Sequence, residues 1–151
     1  MSGSFVPDDF PVPGELVTPR LRLEPLGPEH NERDHAAWTS SIEHVRSTPG
    51  YPDGSWPPVE GMSLERNLAD LRRHADDFVR RVGFTFTVFD RHDGDVIGCV
   101  YIYPDNDGDS DAEVQSWVRA DRADLDLVLY QAVLEWLAAD WPFTSVRYEP
   151  R

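Results

Sequence analysis

The stretch LVTPRLRLEPL, residues 16–26, alternates apolar and polar positions. Leu21 and Leu23 fall on one face, and charged residues separate and flank them. Alternation with a period of two predicts a strand that is buried on one side. Gly27 and Pro28 end it, and residues 28–47 then have a helical composition with a break near Thr39-Ser40.

The second half of the chain carries the strongest patterns. Three β-rich runs, 84–90, 95–104 and 111–120, follow one another with short turns, and Asp93-Gly94 between the first two is typical of a hairpin. Such runs predict an antiparallel meander. An almost wholly apolar helix over 124–141 and a last strand over 143–149 follow. A strand reached through a buried crossover helix is expected to lie parallel to the strand before that helix.

Two further segments complete the predicted order of strand, two helices, three strands, helix and strand. Ser63 is a candidate cap for a helix that runs to about Arg81 with an apolar stripe at steps of three and four. Before it lies a proline- and glycine-rich loop, 48–61, of a kind that is often functional. Residues 1–14 are rich in proline and acids and predict an irregular N-terminal arm, with one domain over 15–151.

The charge of the chain argues against several partners. The chain has 28 acidic and 14 basic residues, giving a net charge of -14. Nucleic-acid binding begins with basic residues that neutralise phosphates, and anionic lipid attracts basic surfaces, so we expect neither nucleic acid nor a membrane as partner. The N-terminal residues do not resemble a secretion signal. With Cys99 as the single cysteine, the chain suits a reducing compartment, and we expect a cytoplasmic protein.

Three segments together resemble one family. Thr18 to Leu23 form a Thr-Pro-Arg-Leu-x-Leu strand, and Ala112, Glu113, Val114 and Trp117 match an Ala-Glu-apolar-Gly-aromatic-Trp type strand. With DVIGCVYIY between them and a later helix ending in LEWL, they resemble the GNAT superfamily of acyl-CoA-dependent N-acetyltransferases. The resemblance covers about residues 15–149. It implies an α/β (α+β) fold with a mixed, mostly antiparallel sheet of about five strands, flanking helices and a parallel last pair.

The resemblance also implies roles for particular residues. If CoA is retained, the cofactor would lie against Trp117, Val118, Arg119 and Arg122, with backbone N–H groups near the first two on the thioester carbonyl. Glu113 is the candidate base that would deprotonate an acceptor amine; the alternative is a salt bridge to Arg119 or Arg22. Trp38, Trp56 and Tyr101 are candidates for the substrate cleft, although aromatic residues more often serve packing.

The loop after residue 118 departs from the family pattern. The family places glycines there, whose N–H groups hold the CoA pyrophosphate at a helix N-terminus. Here the loop reads RADRADLDL, with Ala123, Asp124 and Asp126 where glycines are expected. We expect Asp121 or Asp124 to cap the following helix instead, and the join to hold no phosphate. No cofactor is therefore expected, unless the acyltransferase interpretation holds and acetyl-CoA binds.

The family usually continues with another helix and two strands, which often carry a tyrosine that protonates the leaving thiolate. The present sequence ends after its last predicted strand, with Tyr130 and Tyr148 as the remaining candidates. The strand edge at 143–149 needs cover, so we expect a homodimer.

No metal site is expected. The acidic run 104–113 has oxygen ligands at alternate positions, as calcium prefers, but lacks the EF-hand spacing. His30, His35 and His44 lack a zinc-binding spacing. Cys99 is interpreted as a small buried hydrophobe.

Three functions stay open at this point, because a fold alone does not choose between them. The loop chemistry favours a GNAT-like protein with weak or absent CoA binding, acting as a small-molecule-binding or assembly module. The alternative is an active N-acetyltransferase of a small amine or a peptide N-terminus. A different enzyme that reuses the cleft is the third.

Overall fold

The computed structural model describes residues 4–52 and 56–151. They form one six-stranded sheet whose strands lie in chain order. The strands are β1 (Leu16–Val17), β2 (Leu21–Pro25), β3 (Phe84–Asp90), β4 (Val96–Tyr103), β5 (Ala112–Val118) and β6 (Val146–Tyr148). All neighbours are antiparallel except β5 and β6, which are parallel. The predicted mixed α+β sheet with a parallel last pair is confirmed.

The sixth strand arises because the stretch 16–26 contains two strands. Thr18 and Leu21 close a turn in which the Thr18 N–H donates to the Leu21 carbonyl over 2.9 Å. Pro19 within that turn has no N–H to give to a ladder, so a continuous strand is disfavoured there. β1 therefore folds back antiparallel on β2.

Four helices flank the sheet: α1 (Asn31–Thr39), α2 (Ile42–Arg46), α3 (Leu64–Val79) and α4 (Asp126–Asp140). The predicted break after Thr39 and the cap at Ser63, whose hydroxyl accepts from the Arg66 N–H, are both present. The predicted apolar stripe of α3 is wrong at its ends, because Leu64 and Val82 are exposed. Among the described helices, none is long and apolar enough to cross a bilayer.

Two apolar clusters hold the layers together. One contains much of α4 and of β2 to β5, and the other joins α1 and the loop after α2 to Cys99 of β4 and Trp117 of β5. β3 is buried along its whole length, as expected of a strand with both faces covered. Gly98 lets β4 and β5 approach closely, because a Cβ there would meet the Trp117 carbonyl oxygen at 2.1 Å.

Residues 4–14 contain no helix or strand and lie across the first cluster. Val6 is buried, and the Phe5 ring stacks on Phe143 at 5.2 Å. The Arg81 guanidinium donates to the Pro7 and Phe10 carbonyls at 2.7 and 2.9 Å. These contacts order the arm although it has no regular structure.

Candidate functional site

A cavity of about 350 Å³ opens between the sheet and the helices. Its floor is the face of β4 and β5 that carries Tyr101, Tyr103, Glu113 and Gln115. Side chains of α1 and α3 form one wall, and Tyr51 and Trp56 of the 48–61 loop form another. Residues 53–55 of that loop lie outside the described residues. The cavity therefore lies over the antiparallel pair β4 and β5.

Aromatic rings form much of the cavity wall. The Trp56 ring lies 6.2 Å from Tyr51 and 6.4 Å from Tyr101, tilted by 44° and 72°. Trp56 and Tyr101 both line the cavity, whereas Trp38 lies behind Trp56, at 5.4 Å, with no exposed surface. The rings meet at steep angles, so they enclose a corner instead of stacking.

The Tyr51 side chain is the unusual member of this wall. Its residue is 5% exposed, and its hydroxyl is a buried polar atom without a hydrogen-bond partner in the described part of the chain. Burial raises the pKa of the Tyr51 hydroxyl well above its usual value, so the group is a neutral donor at physiological pH. A buried hydroxyl without a hydrogen-bond partner lowers the stability of the fold.

Asp34 of α1 brings a carboxylate to the same cavity. It is 4% exposed, accepts from Asn67 Nδ2 at 3.1 Å and lies 3.5 Å from Cys99 Sγ. Burial raises the pKa of Asp34, and the hydrogen bonds from Asn67 and Cys99 oppose that rise. Asn67 is itself fixed, because its Oδ1 accepts from the Trp38 indole at 2.9 Å.

Glu113, the candidate base, also lines the cavity, but its carboxylate forms an ion pair with an arginine. Its carboxylate accepts from Arg147 of β6 at 2.9 Å. The partner is thus Arg147, and not Arg119 or Arg22 as the alternative interpretation proposed. Glu113 and Arg147 are direct neighbours in the parallel register of β5 and β6, and this register places their side chains on one face.

His74 of α3 lies at the edge of the cavity. Its Nδ1 is 2.8 Å from the Tyr103 hydroxyl, which donates to Asp77. Burial, followed by the nearby charge of Arg73, lowers the pKa of His74 to about 4. His74 is therefore neutral at physiological pH and adds no positive charge to the cavity.

The join between β5 and α4 is a 3-10 segment, Ala120–Leu125. Our prediction that Asp121 or Asp124 caps α4 is wrong: Leu125 precedes the helix, and among the described residues no side chain caps it. Asp121 instead accepts two hydrogen bonds from Arg119, at 2.9 and 2.8 Å, which lower the pKa of Asp121. A bidentate pair with a guanidinium is stronger than a single capping bond.

Several polar groups of the join are bonded within the protein. The N–H of Arg119 donates to the Ile97 carbonyl at 2.8 Å, and that of Ala120 to the Ser41 hydroxyl at 2.8 Å. The Arg122 guanidinium binds Asp90 and Asp93 at 2.6 and 2.9 Å. Four residues were predicted to contact CoA if it is retained. Trp117 and Val118 are buried, and Arg119 and Arg122 form ion pairs with acids.

Arg151 joins β5 to the start of α4. Its guanidinium donates to the backbone carbonyl of Ser116 at 2.7 Å, to the Ser116 hydroxyl at 3.1 Å and to Asp126 at 2.7 Å. Its side chain is 4% exposed. The parallel pairing of β5 with β6 runs to Val114 and Tyr148, so Arg151 occupies the region where the two strands separate.

The tyrosines considered as proton donors lie on this side too. The Tyr148 hydroxyl is 2.5 Å from the Ser116 hydroxyl, and its ring lies 4.7 Å from that of Tyr130. Burial raises the pKa of Tyr148 to about 12. Tyr148 faces α4 with Ser116, so it does not line the cavity on the other side of the sheet.

One group of described residues brings possible metal-ligand atoms close together. Glu24, Glu29 and His30 bring ligand atoms within 4.8 Å of one another. His30 is already bonded on both ring nitrogens: Nδ1 accepts from the Gly27 N–H at 3.2 Å, so Nε2 carries the proton and faces Glu24 at 2.8 Å. These contacts explain the cluster without a metal. In the acidic run, Asp105 accepts from Ser110 and pairs with Arg147.

Sequence reasoning missed three residues of this region: Asp34, Tyr51 and Arg151. Asp34 lies among other charged residues in a helical segment, and nothing in its spacing shows that it is buried. Tyr51 lies in a loop without periodicity, so no pattern predicts its orientation. Arg151 bridges to Asp126 and Ser116 across 25 and 35 positions, a separation over which single-sequence patterns carry no signal.

Comparison with known proteins supports the same fold. No protein-family model matches the chain, and no curated protein sequence matches it. Solved structures do match, with these TM-scores and identities: ribosomal-protein-S5-alanine acetyltransferase from Vibrio fischeri (0.61, 12%), a GCN5-related N-acetyltransferase from Brucella melitensis (0.60, 16%) and the microcin C7 self-immunity acetyltransferase in complex with acetyl-CoA and AMP (0.64, 12%).

The matches cover 82%, 87% and 84% of this chain, in the same order, and 66%, 57% and 66% of those structures. The chain thus spans less than two thirds of the length of each. The strand order, the parallel last pair and these similarities agree with the resemblance seen in the sequence. The chain has the fold of the GNAT acetyltransferases.

Proposed function

We propose that this protein is a GNAT-fold small-molecule-binding module with weak or absent CoA binding. The observation that carries the proposal is the buried Arg151 bridge between Ser116 and Asp126. A cofactor with its pyrophosphate at the join and its thioester near Trp117 and Val118 would have to run along this end of β5. The guanidinium of Arg151, which is hydrogen-bonded to Ser116 of β5 and to Asp126 of α4, occupies that route.

The chemistry of the join supports the same proposal. A pyrophosphate needs free backbone N–H groups or free cations. Here the N–H groups of Arg119 and Ala120 have partners, and the arginines are paired with acids. The residues present at the join therefore do not fit CoA.

The cavity supports ligand binding of another kind. Its volume of about 350 Å³ lies within the range of small-molecule sites. It combines aromatic rings with charged and amide side chains, among them Asp34, Glu113 and Gln115. An assembly role through the β6 edge is compatible with a ligand in this cavity.

An active N-acetyltransferase is the second candidate. The location of Glu113 in the cavity favours it, because a carboxylate there would face an acceptor amine. In this case Glu113 would have to leave Arg147 to act as base. The structure of the microcin C7 self-immunity acetyltransferase contains acetyl-CoA. Acetyl-CoA is the cofactor that an N-acetyltransferase function of this chain would require.

Thiol release from acetyl-CoA separates the two candidates. The protein is assayed with a panel of small amines and peptides with free N-termini. We expect no CoA thiol above the rate without protein. Release that depends on an acceptor and is lost in Glu113→Gln would establish the enzyme and overturn the binding-module proposal.

A further inference from the structure

The side of α3 that faces the cavity carries a histidine. Lining residues recur along this helix at steps of three and four, as one helix face requires: Asn67, Asp70, Leu71 and His74. The His74 ring lies 5.6 Å from the ring of Tyr101, which also lines the cavity. His74 therefore packs against the floor of the cavity.

A chain of hydrogen bonds fixes the proton on the His74 ring. The Tyr103 hydroxyl donates to Oδ2 of Asp77 at 2.9 Å, and Asp77 lies 3.9 Å from the Arg80 guanidinium, which favours the ionised, acceptor-only carboxylate. The Tyr103 oxygen then offers only lone pairs to His74 Nδ1, 2.8 Å away, so Nδ1 is the donor. Because burial lowers the pKa of His74 to about 4, the ring is neutral and Nε2 carries no proton.

The Nε2 atom of His74 thus has a free lone pair. No residue within 4–52 or 56–151 is hydrogen-bonded to it; the ring contacts of Tyr103 and Thr85 are both with Nδ1. Nε2 is also not one of the fully buried polar atoms of these residues. It therefore keeps surface that a ligand in the cavity can reach.

The polar side chains around the cavity supply acceptors more than donors. Gln115 donates to the Gly50 carbonyl at 2.9 Å, and Asn67 donates to Asp34 at 3.1 Å, so these amides are engaged within the protein. Arg73 of the lining lies 3.5 Å from an acid of its own helix. Three carboxylates line the same cavity: Asp34, Asp70 and Glu113. Such a lining is complementary to a ligand that brings hydrogen-bond donors.

We propose that Nε2 of His74 is a specificity-determining hydrogen-bond acceptor of the cavity, and that Tyr103 and Asp77 position it by fixing the proton on Nδ1. The ligand that it selects carries an O–H or N–H donor beside an apolar part that the aromatic walls accept. This inference rests on the proposed ligand-binding function and names a residue that selects the ligand.

The tautomer is measured first, on the full chain without ligand. Proton–nitrogen NMR correlation spectra of nitrogen-labelled protein at neutral pH distinguish a protonated from an unprotonated ring nitrogen, and the spectrum of His74→Gln identifies the His74 signals. We expect the proton on Nδ1 and none on Nε2. A proton on Nε2 in the wild-type protein would overturn the inference.

A matched pair of variants tests the positioning role. Tyr103→Phe removes the oxygen that accepts from Nδ1. The Thr85 hydroxyl remains, 3.2 Å from Nδ1, and a hydroxyl can donate as well as accept, so the Nε2–H form should appear in this variant. Tyr130→Phe removes a hydroxyl on α4 and should keep the wild-type tautomer. An unchanged tautomer in Tyr103→Phe would contradict positioning by Tyr103.

Phenol and its methyl ether anisole probe the acceptor itself, because they share one ring and differ in a single donor. We expect phenol to bind about two- to tenfold more tightly than anisole, the range of one neutral hydrogen bond, and to shift the Nε2 resonance. In His74→Leu, followed through the Trp56 indole resonance, the two probes should bind alike. Equal or tighter binding of anisole by the wild type would overturn the inference, as would an Nε2 resonance that neither probe shifts.

These outcomes are separate from the test of the proposed function. Acceptor-dependent thiol release would overturn the binding module and leave the His74 tautomer as measured. A proton on Nε2 without any thiol release would remove the role of His74 and leave the binding module.

Discussion

The guanidinium of Arg151 donates to the backbone carbonyl oxygen of Ser116 over 2.7 Å. This bond connects a β5 residue to a side chain that also binds Asp126 at the start of α4. Two elements that diverge in this fold are thereby tied together by one cation. Several measurable properties depend on that bridge.

Replacing Arg151 should destabilise the protein. Breaking a buried ion pair typically costs about 3–5 kcal/mol because it leaves a charge unpaired. Asp126 is 19% exposed, so water compensates in part, and we expect Arg151→Ala to lower the free energy of unfolding by about 2–3 kcal/mol. Urea denaturation measures this. Arg151→Lys should lose less, and a loss below about 0.5 kcal/mol for alanine would show that the bridge is not formed in solution.

The acids of the join should differ sharply in their contribution to the free energy of unfolding. Asp126→Asn removes the charge that Arg151 binds, whereas Asp124 is exposed, and Asp124→Asn should change stability by less than about 0.5 kcal/mol. A double-mutant cycle of Arg151→Ala with Asp126→Asn should give a coupling of at least about 1 kcal/mol. A cycle with Asp124→Asn should give a coupling near zero. Equal coupling to both acids would contradict the specific bridge.

How far the sequence predicts this structure depends on the range of the contacts. Alternation and turn residues act locally, and they predicted β3, the Asp93-Gly94 turn and the cap at Ser63. The cap at the join was predicted wrongly because local spacing does not show that Arg119 folds back on Asp121. The cavity could not be predicted, because it needs side chains from α1, α3, β4, β5 and a loop without periodicity.

Titration of His74 should appear in the pH dependence of stability. Its pKa is about 4 in the folded protein against 6.5 for the free side chain, so the unfolded chain binds more protons between these values. Stability contributed by neutral His74 is complete above about pH 6.5 and is lost as the pH falls toward 4. At about 1.36 kcal/mol per pKa unit, the loss is on the order of 3 kcal/mol.

Denaturation at pH values between 7 and 4 checks this, with His74→Gln as the test and His92→Gln as the control. His92 is exposed, and its replacement should leave the pH dependence unchanged. The His74→Gln protein should show a flatter curve in this window. Identical curves for the wild type and His74→Gln would contradict the assigned protonation state.

A homodimer stays a prediction. β6 is an edge strand of the sheet, and exposed edges tend to be covered by another chain. We expect sedimentation velocity at micromolar concentration to give twice the chain mass of 17.2 kDa. A single species of 17.2 kDa throughout the concentration range would contradict the dimer.

The most direct test of the central claim is the melting temperature with and without millimolar acetyl-CoA. A ligand at 100 times its Kd stabilises a protein by about 2.7 kcal/mol, which for a domain of this size raises Tm by roughly 5–11 °C at about 2–4 °C per kcal/mol. Because Arg151 is bonded to both β5 and α4 and the two arginines of the join are paired with acids, we predict no shift of this size for the wild-type protein. A rise of several degrees in the wild type would contradict the account and put the acyltransferase first.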